Sequence, residues 1–356
     1  MRSALLTLLT CALAVPAAEQ GSAFFPVGID YPADARTPSF EIARDLQAVR
    51  SAGFNTIKTA ISWREGEPAR GEYRLDALRR TLEVADRSGV RVILQIDRTE
   101  PGWVLTRYPD SERKTEGDAA ACADLVRFVT TVAKTASRFQ SLYAVDLGTA
   151  AAAGPCHGKV VEAARQEVTP NVSVDRIGMQ LDAPLTPSDL SIALETTAAA
   201  SARGWWLYLG AAVPESDRRF VAWLAISRGA QGLIFDDPPR DAGFIRTIAG
   251  NPALFTQVRP RPAGGAPEVR IDGGSDIDVR FLESSTVQMI IALNHSPKAQ
   301  RVTMTFPPET QEAIWLNMET GSSVHFVAGP LGPLYQYWFR PTDALVLMIR
   351  KDIRLP

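Results

Sequence analysis

The stretch of residues 53–63, GFNTIKTAISW, contains the clearest signal of the fold class. Its glycine ends an amphipathic segment, Phe40–Ala52, and the residues that follow, Thr56–Trp63, alternate and are rich in β-branched side chains. This change from helical spacing to a period of two indicates a helix followed by a strand. The succession returns downstream, where a helix over Leu75–Ser88 precedes an apolar strand over Val90–Asp97. Repeated strand–helix units predict parallel strands covered by helices.

The rhythm continues to residue 257 and yields seven or eight strands, at the compact end for an eight-fold barrel. Segment 150–185 departs from it, because one helix there is shortened or missing. A doubly wound open sheet is the structural alternative, although no dinucleotide-binding fingerprint follows any strand. We therefore expect an α/β protein with a (β/α)8 TIM-type barrel over residues 19–257.

The pattern changes after residue 257. Residues 258–267 are rich in proline and glycine, which is typical of a linker. From 268 to 356, seven short segments with a period of two are separated by turn residues. Such segments predict a small all-β antiparallel sandwich as a second domain.

Residues 1–18 have the features of a signal peptide. Arg2 precedes a small apolar run, Ala4–Ala14, and Val15–Ala17 supplies small residues for cleavage. The run is too short to span a bilayer, and no other stretch is long and apolar enough to do so. We expect export to the periplasm or the extracellular space.

Composition and charge limit the classes of partner and cofactor that the sequence predicts. With 46% apolar and 22% charged residues, the chain is an ordinary globular protein. Its net charge of −2 provides no basic field for nucleic acid, and no glycine-rich phosphate loop predicts a cofactor. His157 adjoins Cys156, but the other histidines lie far away in sequence, so the spacing predicts no metal site. The pattern leaves the oligomeric state open.

Removal of the signal peptide would leave two cysteines, Cys122 and Cys156. An oxidising compartment permits a disulfide between them, which would stabilise the fold by roughly 3–4 kcal/mol. Two buried free thiols are the alternative.

Several motifs resemble glycoside hydrolase family 42, the β-galactosidase-type barrels. They cover the first third of the chain and read FPVGIDYP at 25–32, GFNTIK at 53–58, ISWREGEP at 61–68, VRVIL at 90–94 and PGWV at 101–104. Related retaining-glycosidase barrels share parts of this pattern. The resemblance implies a barrel enzyme that cleaves glycosides by double displacement.

That reaction implies two glutamates, an acid at the tip of the fourth strand and a nucleophile at the tip of the seventh. This sequence has Gly148 at the first place and Leu209 and Gly210 at the second. Neither catalytic residue can be carried over from the family, and only Asp146 matches the aspartate that precedes the acid. Whether the protein is an enzyme therefore stays open.

Other acidic residues end predicted strands, where barrel active sites lie. Asp97, Asp182 and Asp236 are the candidates for a relocated acid–base pair, and the alternative is that they cap helices and fix loops. Glu65 and Glu67, in the loop after the second strand, are expected to be solvated.

A carbohydrate site at the cleft is predicted to use acidic residues and aromatic rings on which sugars stack. Its candidates are Asp30, Tyr31, Trp63, Trp103, Asp146 and Asp237. For the aromatic residues, ordinary core packing is the alternative.

Three functions follow from these expectations. The first is a degenerate glycoside-hydrolase-like protein that binds carbohydrate or a protein partner without retaining hydrolysis. The second is an active hydrolase that uses relocated aspartates. The third is a structural module of a secreted assembly, in which side chains fill the cleft.

Overall fold

The computed structural model describes residues 24–32, 34–108, 119–148, 155–175, 177–183, 185–200, 204–240, 243–261, 269–310 and 315–350. The expected signal peptide at 1–18 and residues 262–267 of the expected linker lie outside the described residues. None of the described helices is both long and apolar enough to cross a membrane.

Eight parallel strands form one curled sheet. They are β1 Val27–Asp30, β2 Thr56–Ser62, β3 Arg91–Asp97, β4 Leu142–Asp146, β5 Ser173–Val174, β6 Ile177–Leu181, β7 Trp205–Leu209 and β8 Ala230–Phe235. The sheet order is β5-β4-β3-β2-β1-β8-β7-β6, so the first strand pairs with both the second and the eighth. This order is that of a TIM barrel, and the prediction is confirmed.

The barrel lacks one helix. Only residues 175 and 176 separate β5 from β6, so no helix fits between them, and this is the unit that the sequence predicted to be shortened or missing. The helices around the barrel are α1 Ser39–Ser51, α2 Trp63–Gly66, α3 Asp76–Ser88, α4 Gly102–Arg107, α5 Ala119–Ala136, α6 Pro155–Glu167, α7 Pro187–Ala200, α8 Glu215–Ser227, α9 Gly243–Ala249 and α10 Pro252–Gln257.

Apolar side chains fill the inside of the barrel. Tyr143 of β4 stacks on Trp206 of β7 with ring centroids 6.0 Å apart, and Ile93 and Ile234 pack beside them. Polar side chains of the barrel therefore lie towards the carboxyl ends of the strands.

Outside the barrel, Cys122 of α5 and Cys156 of α6 form a disulfide with a Cα–Cα distance of 5.6 Å, which links two neighbouring helices.

The C-terminal region is antiparallel and all-β, as predicted. Its strands are β9 Arg259–Pro260, β10 Arg270–Asp272, β11 Ile277–Glu283, β12 Val287–Asn294, β13 Gln300–Thr305, β14 Trp315–Asn317, β15 Ser323–Val324, β16 Leu334–Phe339 and β17 Asp343–Arg350. A six-stranded sheet, β15-β14-β17-β12-β11-β9, faces a three-stranded sheet, β10-β13-β16, across an apolar core. The start of the expected linker differs from prediction, because β9 pairs with β11 as an edge strand.

The β-domain and the barrel share one apolar core. Trp223 of α8 packs in the same cluster as Met289 and Val346 of the six-stranded sheet. Glu319 of the β-domain accepts hydrogen bonds from Arg219 at 2.6 Å and from the Trp223 indole at 2.8 Å. Apolar burial and charged hydrogen bonds therefore both hold the second domain against α8.

Candidate functional site

The carboxyl ends of four neighbouring strands bring three acidic residues and one glycine to the same level. Ile29 pairs with Phe235, Leu209 pairs with Phe235, and Leu181 pairs with Leu209. The residues that directly follow these paired positions therefore lie at one level, at the mouth of the barrel. These residues are Asp182 after β6, Gly210 after β7, Asp236 after β8 and Asp30 at the end of β1.

Lys58 of β2 supplies a positive charge beside them. Its ammonium lies 3.5 Å from Asp30 Oδ1 and 4.9 Å from the ring centroid of Tyr208. The lysine is only 8% exposed, so its stem is buried in the barrel while its head reaches the mouth.

The surroundings of Asp236 at the barrel mouth raise the pKa of its carboxyl group. Partial burial is the main cause, and the negative charge of Asp30 adds to it, while Lys58 and the backbone N–H of Ala211 act in the opposite direction. Asp182 raises this pKa further. Proximity of like charges and loss of hydration both disfavour the carboxylate form, so Asp236 keeps a proton to higher pH than an ordinary aspartate.

Asp146 lies deeper and is fully engaged. Its Oδ2 accepts a 2.8 Å hydrogen bond from the Tyr208 hydroxyl, and its Oδ1 accepts the N–H of Gly148 at 2.9 Å. Burial, and then the charge of Asp146, hold the pKa of Tyr208 well above its ordinary value. Tyr208 is therefore a neutral hydrogen-bond donor at neutral pH, and Asp146 orients its neighbours.

The two glycines at the expected acid positions have opposite surroundings. Gly148 has φ of +82°, and no atom of the described residues lies within 4 Å of where its β-carbon would stand. A β-carbon at Gly210 would instead lie 2.8 Å from Asp182 Oδ1 and 2.9 Å from the carbonyl oxygen of Leu181. A side chain at 148 would have space but a strained backbone, whereas at 210 it would collide with the neighbouring strand.

The predicted aromatic surface is wrong at Trp63. This ring is fully buried, stacks on Phe128 with centroids 6.2 Å apart, and donates its N–H to Glu67 Oε2 at 2.8 Å. Trp103 is half-buried, packs edge-on against Trp63 and donates to the carbonyl oxygen of Glu67 at 2.8 Å. Trp63 therefore belongs to the core, which was the alternative interpretation, and Trp103 packs against this core while it keeps part of its surface in solvent.

Glu67 was expected to be solvated, and this is also wrong. Its side chain is completely buried and accepts hydrogen bonds from Trp63, from Gly71 N at 2.7 Å and from Arg127 at 2.9 Å. The carboxylate is a structural centre behind α2, because its charge is paired and its oxygens are satisfied.

The remaining candidates lie at the rim. Asp97 is exposed and accepts both the N–H and the hydroxyl of Thr99, so it fixes its own turn. Tyr31 points outward, where its hydroxyl lies 3.4 Å from Asp45 of α1, and burial raises its pKa to about 12. Asp237 is exposed, and its carbonyl oxygen accepts a hydrogen bond from Arg218 at 3.0 Å.

Three residues of the mouth were missed by sequence reasoning: Lys58, Gln180 and Tyr208. Gln180 is exposed and donates to Asp182 Oδ1 at 2.7 Å. Side chains alternate along β2, so Lys58 lies on the same inner face as Ala60, two residues further on. A charged residue at an inward position was therefore the signal that the sequence offered. Nothing in the sequence distinguished Tyr208 from a core tyrosine.

A histidine–aspartate pair was also missed. His157, at the start of α6, has its Nε2 3.0 Å from Asp175 Oδ2, just after β5. Among the described residues, no group of three or more histidine, cysteine, aspartate or glutamate side chains has the geometry to hold a metal ion.

Comparison with known proteins bears on this geometry. The glycoside hydrolase family 42 model, described as β-galactosidase, matches residues 31–131. A catalytic mutant of Gan42B, a family 42 β-galactosidase from G. stearothermophilus, superposes with a TM-score of 0.67 at 9% identity, covering 93% of this chain and 99% of that one. The barrel of this chain therefore has the same fold as the barrel of that β-galactosidase.

Two further structures have the same glycoside hydrolase fold. A putative α-N-acetylgalactosaminidase from Bacillus halodurans has a TM-score of 0.61 at 10% identity, covering 92% of this chain and 97% of that one. A family 39 glycoside hydrolase from Bacteroides cellulosilyticus has a TM-score of 0.58 at 10% identity, with 91% and 81% covered. A search of curated proteins found no match for this chain.

Proposed function

We propose that this glycoside-hydrolase-like protein binds carbohydrate at the mouth of its barrel and does not carry out retaining hydrolysis. The observation that carries the proposal is the row formed by Asp182, Asp236, Asp30 and Lys58 around an unsubstituted Gly210. The row offers binding groups at the place where the family resemblance puts a nucleophile.

The chemistry of the row suits sugar hydroxyls. Carboxylates accept hydrogen bonds from hydroxyl groups, the Lys58 ammonium donates them, and Gln180 can do both. Ala60, Gln180 and Asp182 are exposed at the mouth, which supports a ligand rather than a cleft closed by its own side chains.

The lack of retaining hydrolysis follows from the two glycines. That mechanism needs two carboxyl groups about 5–5.5 Å apart on either side of the scissile bond. Asp146, the acid that matches the family pattern, is buried and has both oxygens engaged. It therefore cannot replace the expected acid at Gly148 without a change in the backbone.

An active hydrolase is the second candidate, and the raised pKa of Asp236 favours it. A carboxyl group that keeps its proton can act as a general acid, with Asp30 or Asp182 as its partner.

We also infer export, which the Cys122–Cys156 disulfide supports because such bonds persist in oxidising compartments. Fractionation of cells that express the full chain tests this inference.

Binding and turnover separate the two candidates. Titration calorimetry with galacto-, gluco- and manno-oligosaccharides should detect binding that Asp30→Asn and Asp236→Asn weaken at least tenfold. Glu83→Gln, on the exposed face of α3, is the matched control and should bind like the wild type. Wild-type hydrolysis of aryl β-glycosides that Asp236→Asn abolishes would establish the hydrolase instead. Binding that neither aspartate change affects would contradict both.

A further inference from the structure

We propose that the outer face of the three-stranded sheet β10-β13-β16 carries a second glycan-binding surface, centred on Trp338. The proposal shares with the proposed function only the class of ligand, since its residues are separate from the barrel mouth. Trp338 is 63% exposed, whereas five of the other six tryptophans are at most 2% exposed. Most tryptophans of this chain are buried, so an indole that is exposed to solvent indicates a binding surface.

The strand register surrounds this ring with polar side chains. Trp338 of β16 lies directly opposite Arg301 of β13, and the next pair on the same face is Gln336 and Thr303. Asp272 of β10 lies opposite Thr303 and extends the row. The inward-facing residues of the same strands, such as Met304, pack in the core between the two sheets.

Hydrogen bonds hold these polar side chains beside the ring. Arg301 Nη2 donates to Gln336 Oε1 at 2.8 Å, and Gln336 Nε2 lies 3.3 Å from Thr303 Oγ1. The Gln336 contact uses one of the five N–H donors of the guanidinium. A flat aromatic ring with ordered donors and acceptors at its side is thus preformed, which reduces the ordering cost of binding.

This combination fits a pyranose ring better than a protein. A sugar presents an apolar C–H face, which an indole can cover, and a rim of hydroxyl groups, which Arg301, Gln336 and Asp272 can bind. A protein contact would need a contiguous apolar patch of several hundred Å², whereas Arg301 and Gln336, the same-face neighbours that the register places beside Trp338, are polar.

Affinity electrophoresis of the full-length protein tests the surface. Gels containing β-galactan, β-mannan or β-glucan should retard the wild type, and Trp338→Ala should lose at least tenfold in apparent affinity. Trp338→Phe should keep part of it. Val327→Ala, which alters a 68% exposed side chain of the same domain, should migrate like the wild type. Equal retardation of wild type and Trp338→Ala, or no retardation on any of the three polysaccharides, overturns the proposal.

The barrel variant Asp236→Asn distinguishes the two sites. If it is retarded normally while Trp338→Ala is not, the β-domain surface stands without the barrel mouth, and the reverse result leaves only the barrel mouth. Iodide quenching gives an independent readout, because Trp338 is the most exposed tryptophan of the chain. Polysaccharide should reduce quenching in the wild type and in Asp236→Asn, but not in Trp338→Phe. A change of sedimentation coefficient in Trp338→Ala would show a self-association face and overturn the proposal.

Discussion

The hydroxyl of Tyr208 donates a 2.8 Å hydrogen bond to Asp146 and so links β7 to β4 across the interior of the barrel. These are the strands at whose tips the family resemblance places the two catalytic carboxylates. Both partners are buried, so the bond forms where water does not compete. The one acid that matches the family pattern therefore stabilises the barrel beneath the mouth.

Replacing Tyr208 with phenylalanine should destabilise the protein by about 1–3 kcal/mol, because a buried carboxylate oxygen loses its donor. Urea unfolding followed by far-UV circular dichroism measures the change. Tyr335→Phe removes a hydroxyl from a half-buried tyrosine of the β-domain and should cost less than about 1 kcal/mol. Equal losses in the two variants would mean that the link across the barrel has no special weight.

Asp236→Asn should stabilise the protein at pH 7. The folded state raises the pKa of Asp236 above its unfolded value, so its contribution to stability is present below that value and is lost as the pH rises through the folded pKa. Asparagine resembles the protonated form and avoids this loss. The gain should vanish near pH 3, where the wild type is protonated in both states, and unfolding curves at both pH values measure it. Destabilisation at pH 7 would contradict the prediction.

The two glycines of the expected acid positions should respond differently to substitution. Gly210→Ala should cost about 1–3 kcal/mol, because its β-carbon would collide with Asp182 and with the Leu181 carbonyl. Gly148→Ala has free space and should cost about 1–2 kcal/mol through its positive φ alone. Gly102→Ala, with free space and an ordinary φ, is the control and should be nearly neutral. Thermal unfolding ranks the three, and a harmless Gly210→Ala would show that the rim adapts easily.

The Cys122–Cys156 disulfide should contribute roughly 3–4 kcal/mol, since it closes a loop with a sequence separation of 34 residues. The double variant Cys122→Ala/Cys156→Ala should unfold at correspondingly lower urea concentration. Adding a reductant should shift the wild type in the same direction and leave the double variant unchanged. Coincident curves for wild type and double variant would rule out a stabilising bridge.

Several elements could be predicted from the sequence, because their signals are local. The strand–helix rhythm predicted the barrel strands and the missing helix, and the change of pattern after residue 257 predicted the antiparallel β-domain. The helices α2 and α4 were not predicted, since they are short and depend on Trp63 and Trp103 packing around Glu67. The ion pair between the buried Glu67 and the partly exposed Arg127 joins residues 60 positions apart and leaves no local pattern.

The order of strands and helices, the change to an antiparallel β-domain and the presence of glycine at 148 and 210, where the resemblance implies glutamates, can all be derived from the sequence. Which acidic residues meet depends on the three-dimensional packing. Asp30, Asp182 and Asp236 are far apart in the chain and come together because parallel strands end at one rim. Tertiary packing also buries Trp63 against Phe128 of α5 and leaves Trp338 in solvent, since exposure depends on which elements pack on each face and not on the residue type.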